Sequence, residues 1–261
     1  MPEGDTVFQT ARRQNEALAG LALTGFELRV PKFAAADLTG ETVHEVVSVG
    51  KHLFHRIGDW SLHSHLKMEG TWRVVAAGAK WPKPAYQARA VLRTASVTAI
   101  GFELGITELL PRDEEHTVTD RLGPDLLGAS WDDAAAAEAT ARLEAHPDDP
   151  VFTAVLDQTN LAGVGNVYAN ELCFLRGILP TRPMIEVDAA ATVALARRLL
   201  LANRDRFTRV TTGDTRPGRR SWVYGRTGQS CLRCGTILLG GELGARPGQE
   251  RSVTWCPVCQ T

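Results

Sequence analysis

Pro2 becomes a free secondary amine once the initiator methionine is removed, and Glu3 places a carboxylate one residue away. Every internal proline has its nitrogen locked in a tertiary amide, so position 2 is the one place where proline can act as an amine nucleophile. Such an α-amino group titrates at about pH 7.7 to 8.0 before its surroundings act on it. Gly4, Asp5 and Thr6 are capping residues ahead of a helical pattern over 7–18. The positive potential at a helix start favours the unprotonated, nucleophilic amine. A Met-Pro start also arises simply because proline permits methionine removal, so these residues alone do not establish catalysis.

Four of the five cysteines form two Cys-x-x-Cys pairs, Cys231 with Cys234 and Cys256 with Cys259, while Cys173 stands apart. Each pair turns two thiolates to one side of a tight knuckle, and two knuckles close the tetrahedral site that Zn²⁺ prefers. Two redox pairs are the other reading, but no thioredoxin-like βαβ pattern surrounds them. With no fifth ligand in view, one structural zinc is expected, holding a hairpin whose tip is rich in glycine and carries Arg246 and Arg251.

Three further groups could face an anion or a base. Leu161-Ala162-Gly163-Val164-Gly165-Asn166 leads into a helical pattern, and a glycine-rich helix start turns amide N–H groups towards phosphate; a plain packing turn has the same composition. Lys51 stands at a turn between two apolar runs, where a lysine is ordinarily solvated. Met68, among polar residues in another turn, reads either as core filler or as an apolar wedge entering a base stack.

The elements that must position these groups follow from pattern. The 261 residues, 44% hydrophobic and 23% charged, have the composition of a folded globular chain long enough for two domains. No apolar run reaches 18 residues and no signal-like segment opens the chain, so no membrane association is expected, and the compartment is the cytoplasm or nucleoid. The net charge of −1 conceals an asymmetry. Residues 176–251 hold 14 arginines and no lysine against 6 acidic residues, a net of +8, and the remainder carries 15 basic against 24 acidic, a net of −9. An arginine-rich part of that kind suits a phosphate backbone.

Short apolar runs at 21–30, 43–49, 52–57, 61–66, 71–75, 89–93 and 97–102 predict an antiparallel sandwich after the first helix. An alanine-rich helix is expected over 131–145, a break at 146–150, and helices over 151–158, 167–175 and 188–207 with Asp188 as N-cap. Residues 211–220 are polar and rich in glycine and arginine, a composition expected to be mobile, and lead into the cysteine hairpin.

Taken together these residues resemble the formamidopyrimidine-DNA glycosylase and endonuclease VIII family of base-excision repair enzymes. The resemblance rests on Pro2-Glu3-Gly4, Gly50-Lys51, Ser64-His65 with Met68, and Arg121-Leu122-Gly123-Pro124-Asp125. It continues through Asp157-Gln158, the 161–166 segment, Val223-Tyr224-Gly225-Arg226 and the four cysteines. The start of the chain and Gly70-x-Trp72-Arg73 look closer to the endonuclease VIII branch, associated with oxidised pyrimidines; Val223–Arg226 looks more like the other. The resemblance implies an α+β multidomain fold. A catalytic β-sandwich domain with flanking helices would cover 1–130, a linker helix and hinge 131–150, a helix-two-turns-helix domain 151–222, and a β-hairpin zinc finger 223–261.

It also implies a mechanism. The Pro2 amine attacks the sugar of a damaged, flipped-out nucleoside, giving a Schiff base whose decay cleaves the strand by β- and δ-elimination. Glu3 and Lys51 handle protons, and Arg251 counted back from Cys256, or Arg246 counted forward from Cys234, is the hairpin arginine; Arg251 is favoured. Lys67, Met68, Arg121 and Asn166 are the implied DNA contacts, damaged DNA the partner, and the enzyme a monomer.

Two departures stand out. Thr6 occupies the place of a glutamate common in the family, with Asp5 beside it. Family members fill the gap left by the extruded base with three side chains; Met68 matches one, but residues 101–108 hold no Arg-x-Phe pair. Single-stranded or bubble DNA is therefore an expected substrate alongside duplex. Two other readings are a DNA-binding zinc-ribbon paralogue without catalysis, and a small-molecule tautomerase using Pro2. The first gives no role to Pro2, Glu3 and Lys51, the second none to the cysteines and arginines.

Overall fold

The computed structural model describes residues 2–261, which form two compact units, one ending at Arg121 and the other running from Leu122 to Thr261. The first unit opens with α1 (Gly4–Leu18), followed by β1 (Gly25–Leu28), β2 (Val43–Val49), β3 (His52–Ile57), β4 (Trp60–His65) and β5 (Thr71–Ala76). Strands β6 (Ala88–Arg93), β7 (Val97–Phe102) and β8 (Ile106–Pro111) and the single-turn helix α2 (His116–Thr119) complete it. Two antiparallel four-stranded sheets result, in the orders β1-β6-β7-β5 and β2-β3-β4-β8.

Their facing residues, among them Leu28, Val46, Leu53, Ile57, Leu62, Ala90, Leu92 and Ala99, form one core with Val7, Ala11 and Leu18 of α1. Seven strands match the runs expected from the sequence, with boundary shifts of up to four residues. The eighth, β8, has no counterpart among the expected runs. Its Glu108 and terminal Pro111 weaken the β pattern, and its place at a sheet edge is where such residues are tolerated.

The second unit contains α3 (Asp133–Glu144), α4 (Val151–Leu156), α5 (Asn166–Arg176) and α6 (Ala189–Asn203), then the hairpin β9 (Leu239–Leu243) and β10 (Arg251–Trp255). Asp132 caps α3 by accepting from the Ala135 N–H at 2.9 Å, and Asp188 caps α6 through the Ala191 N–H at 2.9 Å. Helix α3 packs along α6, while α5 packs against α4, α6 and β10. The expected helix over 188–207 stops at Asn203. That fully buried side chain donates to the Leu199 carbonyl at 2.9 Å and accepts from the Val210 N–H at 2.7 Å, turning the chain away. Residues 211–220 are braced rather than open, by Thr211 N–H to the Arg220 carbonyl at 2.8 Å and by Asp214 paired with Arg216 and Arg219. Among the described residues no helix is long and apolar enough to cross a membrane.

Candidate functional site

In the first unit, Pro2 is half-buried immediately before α1, and Glu3 is the N-cap residue of that helix. Its backbone carbonyl accepts from the Val7 N–H at 3.0 Å, and its side chain is fully buried. Burial of a carboxylate is tolerable there because the helix start supplies positive potential. Asp5, 2% exposed, turns its Oδ1 onto the Thr6 N–H at 2.7 Å. One buried carboxylate thus lies on each side of Gly4 at the head of α1.

Lys51 occupies the second position of the two-residue turn joining β2 to β3, after Gly50, whose φ of 59° is the left-handed conformation that tight hairpins place on glycine. The pairing His52↔His65 puts the end of β4, and the turn after it, at the same end of the sheet. In that second turn Lys67 has a φ of 51° and donates its backbone N–H to His65 Nδ1 at 2.9 Å, and Met68 is 59% exposed. An apolar side chain held that far into solvent is not core filler. Burial pushes His52 down to about 4 and His65 to about 3, with Lys51 and Lys67 adding to both shifts, so the two turns place their charges around the same pair of rings.

The connection from β7 to β8 is three residues long. Glu103, at φ 51°, is tied to the Gln87 carbonyl and to Lys83; Leu104 is buried in the core; and the Gly105 N–H donates to the His65 carbonyl at 3.0 Å. A Cβ on Gly105 would overlap the Lys67 side chain. This connection carries no projecting side chain that could accompany Met68. Arg121 is exposed at the end of the unit.

In the second unit two turns separate α4 from α5. The Asp157 carboxylate accepts from the Thr159 N–H at 2.8 Å. The Gln158 amide closes the rest: its oxygen accepts from the Gly163 N–H at 3.1 Å, and its nitrogen donates to the Leu156 and Val164 carbonyls at 2.7 and 2.9 Å. Asn166 opens α5 behind Gly165, a residue with no side chain to cap the helix. Its Nδ2 donates to Ser252 Oγ on β10 at 3.2 Å. One turn later Asn170 joins the same strand, donating to the Ser252 carbonyl at 3.3 Å and accepting from the Thr254 N–H at 2.7 Å. Arg251 is therefore one residue from the Asn166 contact and exposed, whereas Arg246 lies in the loop between β9 and β10.

Glu171, fully buried on α5, was not singled out from the sequence. Its carboxylate accepts from the N–H groups of Trp222, Val223 and Tyr224 at 2.8 to 2.9 Å, and from the Thr211 hydroxyl. The signal available was a carboxylate which, with Asn170, interrupts the mainly apolar helix 167–175.

The Sγ atoms of Cys231, Cys234, Cys256 and Cys259 all lie within 4.8 Å of one another, and can hold a metal ion. Backbone N–H groups of Arg233 and Cys259 point at the sulfurs of Cys231 and Cys256, each at 3.4 Å, as expected around thiolates. The cluster packs through Cys231 and Cys256 on Phe174, Val223 and Leu238, so a metal there would fasten the hairpin to α5. Cys173 is buried outside it, and desolvation pushes its thiol up to about 12, which leaves it inert.

Residues 1–103 match the formamidopyrimidine-DNA glycosylase N-terminal domain, and residues 122–201 match the H2TH domain of the same glycosylase. The chain is 51% identical to the DNA-(apurinic or apyrimidinic site) lyase Nei2 of Mycolicibacterium smegmatis, covering 100% of this chain and 99% of that one. It is 49% identical to endonuclease 8 2 of Mycobacterium tuberculosis and 30% identical to endonuclease 8 of Escherichia coli, each over the full length of both chains. Among solved structures, Lactococcus lactis Fpg in complex with DNA containing an abasic site superposes with a TM-score of 0.81 at 24% identity, covering both chains completely.

Proposed function

The chain belongs to the formamidopyrimidine-DNA glycosylase and endonuclease VIII family, and from that premise we propose a bifunctional DNA glycosylase and abasic-site lyase that removes oxidised bases, chiefly pyrimidines. The observation that carries the reading is the head of α1, where a fully buried Glu3 follows a half-buried Pro2. In this mechanism the Pro2 amine attacks C1′ of the flipped-out nucleoside, and the bond to the base breaks as the base leaves with that electron pair and gains a proton. Glu3 exchanges protons with the opening sugar. The resulting iminium acidifies the C2′ proton; its removal expels the 3′ phosphate, and a second elimination expels the 5′ phosphate.

Lys51 binds DNA and assists these proton transfers, and Lys67, Arg121 and Asn166 contact phosphates. The Asn166–Ser252 bond supports Arg251, rather than Arg246, as the hairpin arginine beside the phosphate held by α5. The metal in this reading is one structural Zn²⁺. Four sulfurs at about 2.3 Å from zinc are roughly 3.8 Å apart, and the Cys234–Cys256 and Cys231–Cys259 separations of 3.4 and 4.0 Å bracket that value. The substrate is chromosomal DNA in the cytoplasm, and the finer division into catalytic, linker, helix-two-turns-helix and hairpin parts is a functional reading of the same chain.

Borohydride trapping tests the proposal. Incubation with an oligonucleotide carrying an abasic site should give a covalent adduct that disappears in Pro2→Gly and in protein that retains Met1. DNA binding without any adduct from the processed wild type would overturn it in favour of a non-catalytic DNA-binding protein.

A further inference from the structure

The face of the sheet β2-β3-β4-β8 turned away from the sandwich core carries a row of histidines that the mechanism does not use. Register alone assembles it: His52 lies opposite His65, Phe54 opposite His63, and His63 opposite Glu108. His63, 2% exposed, has its Nδ1 at 3.1 Å from Glu108 Oε2 and its Nε2 at 2.9 Å from His52 Nδ1. Phe54 stacks on His63 and the His65 ring stands edge-on to His52, holding both orientations.

The hydrogen-bonding order fixes the protons. An ionised Glu108 only accepts, so His63 carries its proton on Nδ1. The neutral His63 Nε2 must then accept, and His52 donates from Nδ1. That leaves His52 Nε2 with a lone pair, at the end of the sheet where the turns carrying Lys51 and Lys67 meet. His65 accepts the Lys67 N–H on Nδ1 and so bears its own proton on Nε2.

We propose that His52 is a proton-coupled ligand for a DNA phosphate at the edge formed by the Lys51 and Lys67 turns, and that Glu108 supports its charge through His63. This rests on the DNA-binding reading above. In the free protein burial holds His52 down at about 4, and His63, Lys67 and Lys51 oppose its charge. A phosphate placed against the two lysines offsets that repulsion and gives the new Nε2–H an acceptor, as charge-assisted hydrogen bonds require. As His52 takes its proton, the Nδ1 proton can move towards His63 Nε2, leaving the positive charge beside Glu108. His65 faces the same edge, and Glu115, which acts on His63, is committed to Arg56 and Ser61.

The sign follows from linkage. His52 has a higher pKa in the complex than in the free protein, so binding takes up a proton between those two values. Affinity therefore rises as pH falls, by at most about tenfold per pH unit for one proton. The experiment measures binding of a fluorescein-labelled oligonucleotide carrying a tetrahydrofuran abasic analogue between pH 5.5 and 8 at fixed ionic strength. Calorimetry in buffers of different ionisation heat counts the protons taken up.

Wild type should bind more tightly at low pH with net uptake. His52→Gln should lose most of that uptake and flatten the profile. Glu108→Gln, at a half-exposed position that tolerates the change, should keep the fold while moving the rise in affinity to lower pH. His65→Gln should retain uptake. A pH-independent wild type, full uptake in His52→Gln, or loss confined to His65→Gln would each overturn the proposal. Borohydride trapping at pH 7.5 separates the two readings. An adduct with unchanged uptake in His52→Gln rejects only this one, and proton-linked binding without an adduct rejects only the lyase.

Discussion

Groups whose chemistry comes from their position in the chain are legible in the sequence, whereas groups whose surroundings come from tertiary partners are not. Pro2 is chemically distinct because of its place in the sequence, and the spacing of the four cysteines alone predicts the cluster they form. Glu171 and His63 carry no such mark: a glutamate in a helix and a histidine in a strand are ordinary until register and packing bring them their partners. Glu171 shows what that conceals. Its buried carboxylate satisfies three successive backbone N–H groups and one hydroxyl, pinning the chain at 211 and at 222–224, on both sides of the arginine-rich segment. Hydrogen bonds to a charged acceptor contribute about 1.5 to 3 kcal/mol each, and they act here as a set. Glu171→Gln keeps one acceptor oxygen but turns an NH₂ group towards N–H donors. We expect a loss of about 3 kcal/mol in stability, read from urea unfolding, together with faster amide exchange at 222–224. A loss below about 1 kcal/mol with unchanged exchange would show that the carboxylate is incidental.

Elements were readable where one face is consistently apolar, and less so where local groups override the pattern. Strands β2, β3 and β7 begin and end where alternation predicts, but β8 carries Glu108 on its outer face, and α6 is cut short by the doubly bonded Asn203 side chain. The β9–β10 hairpin is a further case. Val253 is the only buried hydrophobic side chain the two strands contribute, three of the five β9 residues being Leu239, Gly240 and Gly241, all exposed. Two strands with so little apolar burial do not hold together by themselves. What fixes them is the cysteine cluster at one end and Asn170, which reads the β10 backbone from α5. Removing the proposed zinc with a chelator, or replacing Cys256 by Ser, should therefore melt the hairpin while leaving the β-sandwich folded. Affinity for abasic-site DNA should fall at least tenfold, because Arg251 and Ser252 lose their place beside Asn166. Circular dichroism and anisotropy titration check the two halves of this expectation, and undiminished binding by the metal-free protein would contradict it.

At the scale of the whole molecule, the distribution of charge and the missing wedge point to the form of DNA the enzyme prefers. An enzyme that extrudes a base from duplex DNA must break pairing and stacking at a cost of a few kcal/mol, and inserted side chains offset part of that cost. Here Met68 projects alone. The segment where relatives are expected to carry two more wedges is reduced to Glu103, Leu104 and Gly105, all turned inward or tied down. Affinity must then come largely from phosphate contacts, for which residues 176–251 supply a net charge of +8. Phosphate contacts do not distinguish paired from unpaired bases, so the extrusion cost passes almost undiminished into the rate on duplex DNA, while an already unpaired base avoids it. Excision of one oxidised pyrimidine should accordingly be at least tenfold faster from a bubble or single strand than from a fully paired duplex, measured under single-turnover conditions at equal salt. Introducing Arg and Phe into a lengthened 103–105 connection should narrow that ratio by raising the duplex rate. A large duplex preference in the unaltered enzyme would mean that Met68 alone suffices as the wedge.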